Sequence, residues 1–269
     1  MNFGEYAASK LVPQAFREFL PFVSPAGLRV IHKEKVLSIA LKSAAQTLNA
    51  SSFDSAFQAI EATLARGHLK DRVRATRDSS DGIPIHEYLL RASEAERVHS
   101  GESILRLYFL MIQHPVPLFL DLRPSHFRWD ASENKILWTP SRLWFERSDL
   151  FFNKVKALYK GFFDHEAAST RAGLELYAWE STPSDGFSDR IEVLMRRHFG
   201  DASSQSILFS MRHFKDTFHL VFEEAIKSQT RLHPELTFLG TTLAGLYLTL
   251  ELHNVPLNVA QSYRATFSS

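Results

Sequence analysis

Asp121-Leu-Arg-Pro-Ser-His126, a short polar gap, then Lys135-Ile-Leu-Trp-Thr-Pro-Ser141: the reading of this stretch decides the fold. Phe127-Arg-Trp129 and Ile136-Leu-Trp138 are apolar, aromatic-rich runs separated by Asp130 to Asn134, a cluster of turn-forming residues. That pattern predicts a short strand pair. Just before the pair, Asp121, Arg123 and His126 set a carboxylate, a guanidinium and an imidazole within six residues. Upstream, Glu102 to Gln113 predicts a densely apolar helix, ended by His114-Pro-Val-Pro117.

Away from this centre the pattern is mainly helical. Asp149 to Phe163, Glu166 to Trp179, Ser188 to Phe199, Ser206 to Ser228 and Glu235 to His253 are predicted helices, with turns at Pro183 to Gly186 and Gly200 to Ser204. Towards the N-terminus, about Tyr6 to Phe22 has helical spacing until Pro25-Ala-Gly27 breaks it. Leu28 to Leu41 suits a strand-rich hairpin around His-Lys-Glu-Lys, and equally a helix running on through Ala44, Ala45 and Leu48. Phe53, Phe57, Ile60 and Leu64 form the apolar stripe of another helix, opened by Asn49-Ala-Ser-Ser52 and stopped at Gly67. Arg72 to Asp81, the most polar segment, reads as a loop and as the boundary between residues 1–80 and 81–269.

Composition excludes several functions. A chain of 269 residues with 45% hydrophobic content has ample material for a core. Its formal net charge of +1 gives no electrostatic reason to expect nucleic-acid binding. With no cysteine, thiolate catalysis, thiolate zinc sites and disulfides are ruled out. The start, with Glu5, lacks the basic-then-apolar pattern of a secretory signal, and Leu236 to Leu250 is too short for a spanning helix. A cytoplasmic location is the resulting expectation. The 11 glycines never fall as Gly-x-Gly, and no P-loop or Gly-x-Ser-x-Gly elbow occurs. Among the 12 histidines none belongs to a His-Glu-x-x-His pair, and Asp164-His165-Glu166 reads as a solvated helix start rather than a metal site.

The central stretch resembles the catalytic loop of protein kinases, where Asp-Leu-Lys/Arg-Pro-x-Asn precedes a strand ending in Asp-Phe-Gly. Asp121, Arg123 and Pro124 match; His126 stands in place of the Asn, and Thr139-Pro140-Ser141 in place of Asp-Phe-Gly. Gly82-Ile-Pro-Ile-His-Glu-Tyr-Leu89 is similar to the segment after the kinase hinge. Arg231-Leu-His-Pro-Glu-Leu to Leu246, followed by Leu250 to Asn258, resembles the closing segment of the UbiB/ADCK (AarF-domain) atypical kinases. Asp121 and Pro124 are the only identities with that family's own loop, Asp-Pro-His-Pro-Gly-Asn.

The resemblance implies a mainly α (α+β) fold. It would comprise a kinase-like helical C-lobe with a β-hairpin at the catalytic loop, over about Gly82 to Tyr263, and a reduced or rebuilt N-terminal lobe. In that lobe, Ile39-Ala-Leu-Lys42 imitates the kinase lysine strand with Glu61 as partner, or Ser43-Ala-Ala-Gln46 imitates the family's Ala-rich loop; the two readings exclude each other. Motif equivalence makes Asp121 the catalytic candidate and Lys42, Glu61, Arg123, His126 and Thr139 the nucleotide-binding candidates. ATP and magnesium are the implied ligands, although the metal-holding oxygens are replaced: imidazole is a poor magnesium ligand and Thr139 offers a neutral hydroxyl. Asp121 is either a general base or a buried structural acceptor, and the second is preferred. Arg123 either approaches a phosphate or, preferably, pairs with a carboxylate. The expectation is a pseudokinase acting as a binding platform for a protein or lipid-related partner, tied by analogy to quinone or lipid metabolism. The alternatives are an active kinase or ATPase using Asp130 and Glu133, and an unrelated helical interaction protein.

Overall fold

The structure, a computed structural model, describes residues 27–47, 49–66, 69–78, 80–200 and 206–266. The helix expected over 6–22 lies outside them, as do Gly67 and most of the 200–204 turn.

Helices dominate. In chain order they are α1 (Gly27–Val30), α2 (Lys33–Thr47), α3 (Ala50–Arg66), α4 (Ile85–Leu89), α5 (Glu94–Gln113), α6 (Asp149–Asp164), α7 (Ala167–Leu174), α8 (Phe187–Phe199), α9 (Met211–Lys227), α10 (Leu236–Glu251) and α11 (Val259–Ala265). The strands are short: β1 (Val73–Ala75), β2 (Ile83–Pro84), β3 (Leu118–Phe119), β4 (Phe127–Asp130), β5 (Lys135–Trp138), β6 (Trp144–Phe145), β7 (Ser206–Ile207) and β8 (Leu257–Asn258).

Among the described residues, three small sheets hold the strands. One has the order β1-β5-β4-β2; β3 pairs with β6, and β7 with β8. The expected hairpin is β4–β5, in antiparallel register from Phe127↔Trp138 to Asp130↔Lys135. Its turn is fixed locally: Asp130 Oδ1 accepts the N–H of Ser132 at 2.9 Å, and Asn134 takes a positive φ of 56°. Pairing of β3 with β6 then folds the chain after the hairpin back beside the strand before it. The Asp121 loop is thereby enclosed between paired strands.

Helix α5 is the axis of the packing. Ser93 and Glu96 form a reciprocal capping box at its start, satisfying N–H groups that the helix leaves unpaired. From Ser100 onward nearly every side chain is buried, because α6, α10 and α11 cover different faces. Arg147 closes the other end. Its guanidinium donates to the carbonyl oxygens of Ile112, His114 and Val116, groups beyond the last intrahelical bonds. Burial lowers the pKa of Arg147 to about 10 despite Glu235 nearby. The Glu235 carboxylate in turn accepts the N–H of Ser148, the N-cap of α6, and burial raises its pKa.

The N-terminal readings need correction. Lys33 to Thr47 is one helix, so the hairpin, the Ile39–Lys42 strand and the Ser43–Gln46 loop are all replaced by the helical alternative. Ala40 and Ser43 are buried, Val36 and Ile39 half-buried, which is a helical face rather than an alternating one. Arg72 to Asp81 is not wholly loop, since Val73–Ala75 adds a parallel strand to β5. The 80/81 boundary therefore falls between two strands of the same sheet, and residues on both sides share one apolar core. Near the C-terminal side, the helix expected over 206–228 begins at Met211, after strand β7, and that expected over 166–179 gives way to a 3-10 turn at Glu175–Ala178.

Candidate functional site

Asp121 follows β3 and sits at the crook from which Pro124–His126 turns into β4. Proline at the first position of that 3-10 turn suits its fixed φ. The loop is pinned from behind by α10. Thr249 Oγ1 donates to the Leu122 carbonyl at 2.5 Å, and Gly245 passes so close that a Cβ there would lie 3.0 Å from the Leu122 nitrogen. A small residue is required at 245 for α10 to approach the loop backbone.

The Asp121 side chain is only 5% exposed, and both its oxygens are engaged. Oδ1 accepts from the Arg123 backbone N–H at 3.1 Å and from its Nε at 2.8 Å. Oδ2 accepts from Arg123 Nη2 at 2.5 Å and faces His126 Nε2 at 3.0 Å. The forked guanidinium matches the carboxylate geometry, which makes this the strong form of the pair. His126 Nδ1 stands 2.9 Å from the Thr139 carbonyl oxygen. One ring nitrogen thus faces a carboxylate and the other a main-chain carbonyl, so the ring fills both contacts only with a hydrogen on each nitrogen. Thr139 N–H returns a bond to the His126 carbonyl at 2.9 Å, locking loop to hairpin.

Of the six residues selected from sequence, the fold brings together four: Asp121, Arg123, His126 and Thr139. Lys42 and Glu61 are elsewhere, solvent-exposed on α2 and α3, and among the described residues they do not pair with each other. Lys42 is therefore borne on a helix rather than a strand. Asp130 and Glu133 lie at the hairpin turn, held by Arg74 at 3.2 and 2.8 Å. Three residues of strand, roughly 10 Å, separate that turn from the Phe127 end where the loop joins.

A magnesium ion does not fit this arrangement. Magnesium demands oxygen ligands in near-octahedral geometry. The sole carboxylate of the loop already answers a guanidinium and an imidazole, and the Thr139 carbonyl answers His126. Among the described residues no group of three or more His, Asp or Glu side chains converges as a metal set. Asp164-His165-Glu166 likewise disperses: His165 is the left-handed C-cap of α6, while Glu166 binds Lys160 and Ser169.

Sequence reasoning missed the support around the loop, Gly245 and Thr249 above all. Gly245, one of two glycines in the apolar run Phe238 to Leu250, was the available signal. The chain matches no model of a known protein family and no curated protein sequence. Among the described residues, no helix is long and apolar enough to cross a membrane.

Proposed function

We propose that the chain is a degenerate kinase-like protein of the UbiB/ADCK type, acting as a binding or regulatory platform rather than as a phosphotransferase. One observation carries this reading: the carboxylate at the catalytic position is spent on Arg123 and His126. Phosphoryl transfer depends on positioned carboxylates and metal ions that neutralise phosphate charge. Here the loop carboxylate is nearly sealed and its charge is balanced by its own neighbours. The same order of parts supports the kinase-like half of the proposal. A long buried helix precedes the loop, a hairpin follows it, and the next strand returns to pair with the strand before it. Family analogy adds a link to quinone or lipid metabolism and a protein or lipid-related partner.

Thermal unfolding with ATP, with and without magnesium, tests the reading alongside a phosphate-release assay. Magnesium should add nothing to any nucleotide-induced shift, and no phosphate should appear above the protein-free rate. A magnesium-dependent shift accompanied by phosphate release overturns the proposal.

A further inference from the structure

Outside the Asp121 loop, one group of charged side chains is poorly answered. His99, Glu102 and Arg106 follow one another at three- and four-residue steps along α5, which puts them on one face of the helix. Arg72, at the entry to β1, meets that face. Its backbone is fixed on both sides, the N–H donating to the Leu69 carbonyl and the carbonyl accepting from the Ile136 N–H, each at 2.9 Å. Both guanidiniums reach the same carboxylate oxygen, Glu102 Oε2, with Arg72 Nη1 at 3.9 Å and Arg106 Nη2 at 3.5 Å. Charge-assisted bonds are shorter, about 2.7–2.9 Å, so the carboxylate serves neither arginine closely. Arg147 is the contrast, a guanidinium with three carbonyl acceptors around it.

Among the described residues, the Arg72 guanidinium makes no hydrogen bond and the Arg106 guanidinium makes only that long one. Arg72 Nη1 and Arg106 Nε are shut off from solvent. The other unanswered nitrogens, Arg72 Nε and Nη2 and Arg106 Nη1, are not, and the two side chains keep 25% and 12% of their surface exposed. Two positive charges face one negative, so the cluster carries one positive charge in excess. Burial lowers the pKa of Arg106, Arg72 lowers it further, and Glu102 opposes them. Burial, then Arg72 and Arg106, lower the His99 pKa too, which keeps its imidazole neutral at pH 7. A partly buried guanidinium without acceptors costs free energy that an anion would restore. Each guanidinium holds five N–H donors in a fixed fork, and a phosphate group presents three terminal oxygens where a carboxylate has two. Phosphate is therefore the better match to the unused donors.

We propose that Arg72 and Arg106, with His99 beside them, form a binding site for a phosphate group, carried either as the free ion or on a small monoester. None of these residues belongs to the Asp121 loop, so the site stands or falls separately from the function proposed above. Water against the exposed nitrogens is the competing occupant.

Inorganic phosphate and glycerol phosphate are the probes, each titrated calorimetrically into the full chain against sodium chloride at matched ionic strength, which removes general screening. At least one should bind saturably at one per chain, and the tighter of the two names the source. Arg72→Gln and Arg106→Gln should each weaken that binding about tenfold or more, the value of hydrogen bonds to a charged group. Arg212→Gln, an exposed charge on α9, should leave it unchanged. A readout on the unmodified protein guards against variants that fail to fold: the NMR ring resonances of His99 should move with the phosphate probe and saturate with the calorimetric curve. No saturable binding of either probe, full affinity in either of the Arg72 and Arg106 variants, an equal loss in Arg212→Gln, or unmoved His99 resonances overturns the proposal and leaves water as the occupant.

Discussion

Asp121 and His198 are withdrawn from solvent to almost the same degree, 5% and 6% exposed, yet their surroundings differ in kind. Around Asp121 each oxygen meets a donor supplied within five residues by Arg123 and His126. Around His198 the partners come from two other helices, and among the described residues one ring nitrogen has no hydrogen-bond partner. The contrast separates two uses of a buried polar group. A carboxylate answered on both oxygens works as a clasp that fixes the loop, whereas an imidazole with an unmatched nitrogen carries a desolvation cost that no bond offsets. Burial by itself distinguishes neither; the account of partners does.

Acid should act hardest through the buried histidines. His198 and His253, with pKa values lowered to about 3 and about 4 by burial, are neutral when folded and basic when unfolded. The unfolded chain binds more protons, so stability falls as pH drops. The loss begins near the ordinary value of 6.5 and continues down to the folded values. Each histidine sheds about 1.4 kcal/mol per pH unit within that window. Urea unfolding at pH 7, 6 and 5 measures the slope, and His198→Phe should flatten it; an unchanged slope breaks the assignment. Next in size, Asp121→Ala leaves a guanidinium and an imidazole without their anion. It should cost about 2–3 kcal/mol at pH 7, by urea unfolding. A loss below about 0.5 kcal/mol would mean that the clasp holds nothing. Thr249→Val removes the donor behind the loop and should cost about 1–2 kcal/mol in the same assay. The smallest effect belongs to His198→Phe at pH 7, within about 1 kcal/mol of the unmodified protein, since it loses the Thr217 bond but also removes the unanswered nitrogen. A larger loss would make His198 structural, like Asp121.

What could be read from the sequence follows the range of the interactions. The β4–β5 hairpin was legible because aromatic runs flank a turn whose own side chains build it. So was the nearness of Asp121, Arg123 and His126, six consecutive residues being unable to scatter. Helix α2 was ambiguous because Leu37, Ile39 and Leu41 alternate as in a strand while Val36, Ile39, Ala40 and Ser43 recur as in a helix; only packing selects the helical face. Strand β1 was hidden, three residues in a polar segment, and it exists because the β5 edge accepts a parallel partner. The setting of His198 was wholly illegible, since Thr217 and Tyr247 lie 19 and 49 residues away and meet it only through helix packing.

A double-mutant cycle joining Asp121→Asn with Arg123→Met, followed by urea unfolding, tests the clasp most directly. If the carboxylate is spent on the guanidinium, the two substitutions should be coupled by about 1–3 kcal/mol. Losses that simply add, within about 0.5 kcal/mol, would contradict the account and free Asp121 for chemistry.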